Sequence, residues 1–201
     1  MAEEKTGRRE RKKQQSRAEI LAAAVQNFAE KGYNKTSIAD IMETADLGTG
    51  TFYNYFSSKE EILQCLLGRL VVQVDDALRE NRAAGRSQLE LLAIACQITA
   101  AFLDENRFVL PLFLSAPTSP VPEQPQGKVP APGFKPVYMD IIVAGQRNGE
   151  IRTDIPADLI AEMFHSIFQA AAFSKLKLSF QENVALKTRL LLDGIRNPGK
   201  N

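Results

Sequence analysis

Residues 36–59 read TSIADIMETADLGTGTFYNYFSSK and decide how the N-terminal part of the chain folds. Their periodicity predicts two short helices joined by a tight turn at Asp46 and Leu47. The second helix, which Gly48 opens, has few residues that would fill a core and many small or hydroxyl-bearing side chains. Such a helix is better suited to lying on a phosphate backbone than to filling a protein interior. The residues that give it this character are Thr49, Gly50, Thr51, Tyr53 and Tyr55.

The structural alternative is a helical hairpin inside a core, in which Tyr53 and Tyr55 are half-buried packing residues. A core hairpin has no need for a Thr-Gly-Thr run beside an aromatic cluster. The segment therefore favours contact with DNA, and we expect a DNA-binding regulator.

The composition is that of an ordinary globular protein. The chain has 201 residues, 44% hydrophobic and 24% charged, which allows one domain or two small ones with a buried core. No apolar run approaches the roughly 18 residues of a membrane span and no secretory signal is visible, so we expect a cytoplasmic protein without a membrane partner. Cys65 and Cys96 lie in apolar helical patterns without metal-ligand spacing, so we expect reduced core residues, no metal site and no cofactor.

Charge is unevenly distributed, although the net charge is only +1. Residues 1–17 carry seven basic and three acidic side chains, whereas residues 18–60 carry three basic and six acidic ones. We expect residues 1–15 to form a basic, flexible arm. Two interpretations of this arm stay open, a solvated disordered tail and a segment that contacts DNA.

Helical periodicity continues on both sides of the opening stretch. The first helix is predicted over residues 16–31, with Ser16 as its N-cap. A fourth helix starts at a capping box of Ser58 and Glu61 and carries a broad apolar stripe. Because that stripe is long, the fourth helix is expected to link two domains.

The remaining sequence is also helical in pattern, apart from one loop. Eight of the ten prolines fall between residues 111 and 136, so a proline-rich loop is predicted over residues 115–133. Further helices are predicted from about Phe134 to Asn148, from Pro156 onward, and over about residues 182–195.

The expected fold class is therefore all-α, with about nine helices. A three-helix domain with a helix-turn-helix is predicted at residues 16–63. The long helix joins it to a second helical domain at residues 64–201.

A spaced set of residues in the first third of the chain matches one known pattern. With this set the chain resembles the DNA-binding domain of the TetR/AcrR family of transcriptional regulators, and a GEIR segment at residues 149–152 also looks familiar. The resemblance implies a C-terminal ligand-binding and dimerisation domain. The residues that carry it are Phe28, Gly32, Thr36, Ser37, Ile38, Ile41, Ala45, Gly50, Thr51, Tyr53, Tyr55, Phe56, Lys59, Glu60 and Leu63.

The resemblance also implies roles in DNA contact. In such proteins the third helix enters the major groove, which places residues 49–51 near base edges or phosphates and lets the two tyrosines that follow reach the backbone. Thr36 with Ser37, at the start of the second helix, and Lys59, at the start of the fourth, match positions that contact phosphate.

Two positions depart from the commonest form of the pattern. Asp46 stands where glycine is frequent in the turn, and Gly48 stands where serine often caps the reading helix. Asp tolerates left-handed backbone and Gly is an acceptable cap, so the fold is expected to survive. Phe52 and Phe56 are expected to pack inward and to hold the reading helix at its angle.

A single helix-turn-helix reads a half-site, so a homodimer on a palindromic operator is expected. The last two helices offer small and large apolar residues for a four-helix interface. An alternative assigns about half of these residues to the core of one chain. The predicted dimer residues are Ala161, Phe164, Ile167, Phe168, Ala171, Ala172, Leu186, Leu190 and Leu191.

An effector pocket is expected between the middle helices, formed by aromatic side chains with two polar groups to orient the ligand. Ordinary core packing is the alternative for the aromatics, and a structural role is the alternative for the histidine. The predicted effector residues are Phe102, Phe108, Phe113, Phe134, Tyr138, Met139, Arg147 and His165.

The expected function is repression that a small, largely apolar effector relieves by shifting the dimer to a state with lower operator affinity. An enzyme is not expected, because one histidine and scattered carboxylates form no nucleophile and base pair at a recognisable spacing. Two alternatives stay open. One is a redox-responsive regulator that uses Cys65 and Cys96, and the other is a helical protein that binds DNA without sequence preference.

Overall fold

The computed structural model describes residues 2–115 and 135–199. Within these ranges every regular element is a helix, apart from an isolated antiparallel bridge between Ile151 and Arg196. The prediction of an all-α fold is confirmed. The α-helices are α1 (Ala2–Lys31), α2 (Ile38–Thr44), α3 (Lys59–Ala83), α4 (Gln88–Glu105), α5 (Leu110–Ser115), α6 (Lys135–Arg147), α7 (Ala157–Ala172) and α8 (Phe180–Ile195), and 3₁₀ helices cover Tyr33–Lys35, Thr49–Asn54 and Arg107–Val109.

Helix α1 begins at Ala2, so the prediction that the first helix starts at Ser16 was wrong. Ser16 lies inside the helix and is 9% exposed. Residues 2–15 consist mostly of Ala, Glu, Lys, Arg and Gln, all of which have high helix propensity. Helical backbone therefore runs through residues 2–15, which the sequence had assigned to a flexible arm.

Helix α8 begins at Phe180, slightly before the predicted start at Glu182. Ser179 Oγ accepts a hydrogen bond from the Glu182 backbone N–H at 3.2 Å, and the Glu182 carboxylate accepts one from the Ser179 backbone N–H at 2.9 Å. This capping box fixes the helix start. The predicted proline-rich loop lies outside the described residues except for Ser115, which ends α5, and Phe134 lies outside them as well.

The chain divides into two compact units, of which the first contains Met1–Cys65 and Asn106–Val109. Its core is built from one face of α1, one face of α2, the short helix Thr49–Asn54 and the first turns of α3. The buried apolar side chains are Ile20, Leu21, Ala24, Phe28, Ile41, Met42, Phe52, Phe56, Ile62 and Leu63.

The second unit contains Leu66–Glu105 and Leu110–Asn201. Helix α4 packs on α6 and α8, and α7 packs on the same two helices, so the four enclose one core. Its largest buried side chains include Leu92, Leu103, Tyr138, Ile142, Phe164 and Phe168.

Gly145 allows the chain to fold back onto α6. A Cβ at this position would lie 2.5 Å from Ile151 Cδ1, which is closer than carbon atoms approach one another. Ile151 is fully buried, and its backbone N–H donates to the Gly145 carbonyl at 2.9 Å. Gly149 makes the intervening turn with a φ of 78°, in the left-handed region that favours glycine.

Both cysteines are free thiols, with Cys65 half-buried in α3 and Cys96 buried in α4. Burial raises the pKa of the Cys96 thiol to about 11, so this thiol is protonated at neutral pH. No helix in the described part of the chain is both long enough and apolar enough to cross a bilayer. The same residues bring no three His, Cys, Asp or Glu side chains together in an arrangement that would hold a metal ion.

Candidate nucleic-acid interface

A complete capping box starts α2. Ser37 Oγ accepts from the Asp40 backbone N–H at 3.1 Å, and the Asp40 carboxylate accepts from the Ser37 backbone N–H at 2.7 Å. Lys31 Nζ donates to the same carboxylate at 2.7 Å. The bond from Lys31, followed by those from Ser37, holds the pKa of Asp40 well below its usual range, so the cap is ionised at neutral pH.

The turn after α2 uses Asp46 in the way the sequence predicts. Asp46 has a φ of 53°, in the left-handed region, which Asp tolerates better than most residues. The Leu47 backbone N–H donates to the Met42 carbonyl at 2.9 Å, which closes the turn. Gly48 is then the N-cap of the short helix Thr49–Asn54, and it has no side chain to make a capping hydrogen bond.

Two buried aromatic rings pack this short helix against the core of the first unit. Phe52 and Phe56 are 0% and 1% exposed, and their ring centroids lie 5.9 Å apart, which confirms that both pack inward. Tyr53 points the other way and is 66% exposed, although its ring meets Phe52 edge to face at 5.4 Å. Tyr55 and Thr51 are half-buried. The helix therefore presents Tyr53 to the outside on a rigid base.

Thr49 and Gly50 are exposed at the start of the same helix. A Cβ added at Gly50 would meet no atom within 4 Å, and Gly50 does not have the positive φ that favours glycine. Nothing inside the first unit thus requires glycine at this position. Close approach of another molecule to this helix would require a residue without a side chain at position 50.

Lys59, the first residue of α3, reaches back to the turn before α2. Its Nζ donates to the Thr36 carbonyl at 2.6 Å and to the Tyr33 carbonyl at 3.0 Å, and it lies 4.7 Å from the Tyr33 ring centroid. The Tyr33 hydroxyl donates to Glu60 Oε1 at 2.6 Å, and this bond lowers the pKa of Glu60. Since an ammonium group has three N–H donors, Lys59 keeps one for an external acceptor.

Thr36 does not present its hydroxyl to solvent. The residue is 1% exposed, and Oγ1 donates within the unit to the carbonyls of Gly32 at 3.0 Å and Asn27 at 3.2 Å. The Thr36 hydroxyl is therefore engaged inside the unit, and the predicted phosphate contact of this residue stays a prediction. Ser37 is exposed, but its hydroxyl is shared with Asp40 in the capping box.

Arg17 joins three elements of the first unit, a role that the sequence reasoning missed. Its guanidinium lies 4.7 Å from the Phe56 ring centroid, and Nη2 lies 2.9 Å from Cys65 Sγ. Arg17 thus ties α1 to the segment just after the short helix Thr49–Asn54 and to α3. Helical spacing carried a signal for this, because Ile20 and Leu21, three and four residues on, are buried on the same face.

The predicted effector residues do not form one group. Phe113 stacks on His165 with ring centroids 5.3 Å apart and meets Phe168 edge to face at 5.3 Å. Tyr138 stacks instead on Phe164, and its hydroxyl lies 3.8 Å from Cys96 Sγ.

The other predicted effector residues that the structure describes differ in location and burial. Phe108 belongs to the first unit, where its ring lies 5.3 Å from Phe28. Phe102 and Met139 are half-buried, and Arg147 is exposed. The sequence did not separate Phe108 from the later aromatics, because the chain returns to the first unit for only four residues.

The predicted dimer residues fall into two sets. Leu186 and Leu190 on α8 are 49% and 74% exposed, and Ala172 and Leu191 are half-buried. The second set is buried in the core of the second unit, and it consists of Ala161, Phe164, Ile167, Phe168 and Ala171. Large apolar side chains that the prediction missed are exposed on α7 and just after it, namely Leu159, Met163, Phe173, Leu176 and Leu178.

Comparison with known proteins gives a consistent result. Residues 20–66 match the family model described as "Bacterial regulatory proteins, tetR family". The HTH-type transcriptional repressor DhaR of Mycobacterium sp. (strain GP1) is 27% identical over 173 residues, which are 83% of this chain and 84% of the repressor. The "Fatty acid metabolism regulator protein" of Bacillus subtilis (strain 168) is 25% identical over 187 residues, 89% of this chain and 95% of that protein.

Among solved structures, the fold is similar to that of Thermus thermophilus FadR, a TetR-family transcriptional repressor crystallised with lauroyl-CoA. The TM-score is 0.65 at 22% identity, over 89% of this chain and 94% of FadR. These relatives are named as regulators, in agreement with the expectation that the chain is not an enzyme.

Proposed function

We propose that this chain, which belongs to the TetR family of bacterial regulatory proteins, is a homodimeric repressor that a small, largely apolar effector releases from a palindromic operator. A repressor of bacterial genes works where the chromosome is, so the proposal places the protein in the cytoplasm.

The observation that carries the proposal is the short helix Thr49–Asn54. Within this helix the Phe52 side chain faces inward and is fully buried, whereas the Tyr53 side chain faces outward and is 66% exposed. An exposed tyrosine on a rigid base presents a hydroxyl for phosphate and a ring for sugar or base contacts, at little cost in conformational entropy. The absence of a side chain at Gly50 lets a duplex approach the same face.

The distribution of charge favours DNA contacts made by a few fixed side chains over contacts made by a broad basic surface. Residues 18–60 carry more acidic than basic side chains, so a broad basic face is not available there. The cation nearest to the reading helix in sequence, Lys59, is fixed by two carbonyl hydrogen bonds. Affinity would then depend on a few oriented donors, which favours sequence-specific binding over non-specific binding.

The dimer surface proposed here is the exposed apolar face of α7 and α8. Leu159 and Met163 on α7 are spaced by one helical turn, as are Leu186 and Leu190 on α8, and each is between 47% and 74% exposed. Phe173, 74% exposed, follows α7 directly. Exposed apolar side chains in this number are costly on a monomer and typical of an interface.

The effector proposal starts from the rings around Phe113 and His165. An apolar wall with one imidazole nitrogen can bind and orient an apolar molecule. The Thermus thermophilus repressor was crystallised in complex with lauroyl-CoA. An apolar effector with a polar end is the corresponding class proposed for this chain.

Selection of binding sites from random duplex DNA tests the proposal. The full chain should enrich a two-fold symmetric motif, because two reading heads related by symmetry read inverted half-sites. Tyr53→Ala should weaken binding to the selected site, whereas Val72→Ala, a change at an exposed residue of α3, should not. Binding that enriches no motif and merely fades as salt rises would support the non-specific alternative instead.

One observation favours a second candidate, regulation through oxidation of Cys65. The Arg17 guanidinium donates to Cys65 Sγ at 2.9 Å, so a chemical change at this half-buried sulfur would reach the guanidinium directly. Oxidation would disturb the guanidinium that also contacts Phe56 below the reading helix. Peroxide should then weaken operator binding by the wild type but not by Cys65→Ser, and equal responses of the two proteins would dismiss this candidate.

A further inference from the structure

An open cleft of about 630 Å³ lies between α4 and α8 in the second unit. Its volume falls within the range of small-molecule sites. On α8 the lining residues recur from Gln181 to Arg196, so the cleft follows the whole helix, about 22 Å at 1.5 Å per residue. None of the predicted effector residues that the structure describes lines it.

The two helices run antiparallel, which sets the residues that face each other. Gln181 Nε2 at the start of α8 donates to Asp104 Oδ2 near the end of α4 at 2.9 Å. Counting seven residues inward on each helix brings Gln97 level with Thr188. Both line the cleft, so its polar centre lies halfway along its length.

Small side chains make up part of the lining of the cleft. Ala93, Cys96 and Ala100 contribute from α4, and Ala185 contributes from α8. Leu192 continues the apolar lining beyond the polar centre, toward Arg196. A long and narrow apolar groove of this kind fits an extended chain better than a compact ring system.

The polar centre contains donors that the protein does not use. Thr188 is 4% exposed and lines the cleft, and its Oγ1 lies near the Cys96 thiol but makes no hydrogen bond of normal geometry in the described residues. Buried hydroxyls are almost always paired, because an unpaired one destabilises the fold. Beside it, the side chains of Gln97 and Arg189 make no hydrogen bond or ion pair within the described ranges.

The acidic residues of the cleft are mostly occupied elsewhere. Glu90 pairs with Arg86 at 2.9 Å and accepts from the Ser87 backbone N–H, and Glu182 is part of the capping box of α8. Asp193 is the remaining carboxylate, and Arg189 lies one turn before it on the side of the polar centre. Arg189 is therefore the cation next to Thr188 that has no partner within the described residues, and Asp193 lies one turn further along α8.

We propose that this cleft binds a linear carboxylic acid with an unbranched alkyl chain. The carboxylate accepts hydrogen bonds from Thr188, Gln97 and Arg189, and the chain extends along Ala93 and Leu192. For Thr188 a rotation about χ1 brings the hydroxyl into the cleft, since threonine has two accessible rotamers in a helix. That the bound acid also changes operator affinity rests on the proposed function, whereas the binding itself does not.

Isothermal titration of the full chain without DNA tests the site, using sodium octanoate and 1-octanol as matched probes. Octanoate should bind once per chain and roughly tenfold more tightly than octanol, because a charge-assisted hydrogen bond is worth about that factor. Arg189→Gln should bring the two affinities within about twofold of each other. Arg82→Gln, at an exposed arginine of α3, is the matched control and should leave both affinities unchanged. Arg147→Gln tests the effector residues predicted from the sequence instead.

Thr188→Val separates a binding role from a structural one. Valine has the shape of threonine without the unpaired hydroxyl, so the free protein should melt at the same temperature or higher. Octanoate affinity should nevertheless fall roughly fivefold or more. A purely structural Thr188 would show the reverse, with lower melting temperature and unchanged affinity.

Three results would overturn the proposal. They are absence of saturable octanoate binding at millimolar concentration, binding that Ala93→Phe leaves unchanged although phenylalanine fills the groove, and binding that depends on Arg147 rather than Arg189. Operator selection is a separate experiment on protein without ligand. A chain that binds octanoate but enriches no DNA motif would contradict the proposed function and leave the cleft assignment intact.

Discussion

Lys59 Nζ donates a 2.6 Å hydrogen bond to the carbonyl of Thr36, and this bond ties the first residue of α3 to the turn before α2. The same nitrogen lies over the Tyr33 ring. Resemblance to the family implied a phosphate contact for Lys59. The structure adds an internal role, because two of its three donors serve the fold.

Lys59→Met should therefore lower both stability and DNA affinity. Loss of two hydrogen bonds to a charged donor at a half-exposed site should cost about 1–2 kcal/mol in the free energy of unfolding. Lys35→Met, at an exposed lysine of the adjacent 3₁₀ turn, is the control and should change stability by less than about 0.5 kcal/mol. Urea unfolding measures both variants, and wild-type stability in Lys59→Met would leave the residue with a DNA role alone.

Tyr53 should matter for DNA and not for the fold. Its side chain is 66% exposed, so Tyr53→Ala should shift the free energy of unfolding by no more than about 0.5 kcal/mol. Operator affinity, measured by fluorescence anisotropy with the selected duplex, should fall at least roughly tenfold, and Tyr53→Phe should recover the part contributed by the ring. Equal operator affinities of wild type and Tyr53→Ala would remove this residue from the interface.

The helix-turn-helix was largely predictable because its signals are local. The Ser37 cap on α2 and the left-handed Asp46 follow from backbone chemistry within a few residues. The same locality holds for Phe52 and Phe56, which are separated by one helical turn and face inward together. Helical periodicity places such pairs on one face. Because the segment has few other apolar residues, the face with the two phenylalanines is the one expected to be buried.

The α7 surface was not predictable, because apolar residues of this helix also lie outside its buried face. Phe164 and Phe168 are buried, whereas Met163 on the same helix is 47% exposed. Periodicity shows two apolar faces there and does not say which one packs within the chain. Burial of the Thr36 hydroxyl was not predicted either, because one of its acceptors, the Asn27 carbonyl, lies in α1, nine residues earlier in the chain.

Gly145→Ala should destabilise the second unit. The added Cβ would lie 2.5 Å from the buried Ile151 Cδ1 and 3.2 Å from Gln88 Cβ, so α6 or the segment after Gly149 must shift. Overpacking of this kind typically costs about 1–3 kcal/mol. Gly68→Ala, where a Cβ meets no atom within 4 Å, is the matched control and should be neutral or mildly stabilising. Thermal melting that ranks the two variants in the opposite order would contradict this account.

His165 should make stability depend on pH. Burial against Phe113 lowers its pKa below the usual value near 6.5, and a hydrogen bond with the Leu114 backbone offsets part of this effect. The unfolded chain therefore binds the proton more readily than the folded one, and this contribution to stability is lost as pH falls through the window below about 6.5.

Comparison with His165→Gln isolates the effect, because the sequence contains one histidine. Between pH 7.5 and 5.5 the wild type should lose more stability than the variant, with a difference in slope of at most about 1.4 kcal/mol per pH unit. Urea unfolding at the two pH values gives both slopes. Parallel slopes would show that the imidazole binds its proton equally well in both states.

Leu190→Asp should separate the proposed dimer without unfolding the protomer. Leu190 is 74% exposed, so an aspartate there is solvated in a monomer and the helical signal of the protein should persist. In a dimer the same carboxylate would be buried in an apolar interface without a partner, at a cost of several kcal/mol. Light scattering after gel filtration should then report a monomer at micromolar concentration, with operator affinity reduced because one reading head binds a half-site weakly. Val72→Asp places the same charge on an apolar residue of α3 that is 60% exposed and should leave the mass unchanged. A dimer that survives Leu190→Asp but not Val72→Asp would move the interface from α8 to α3.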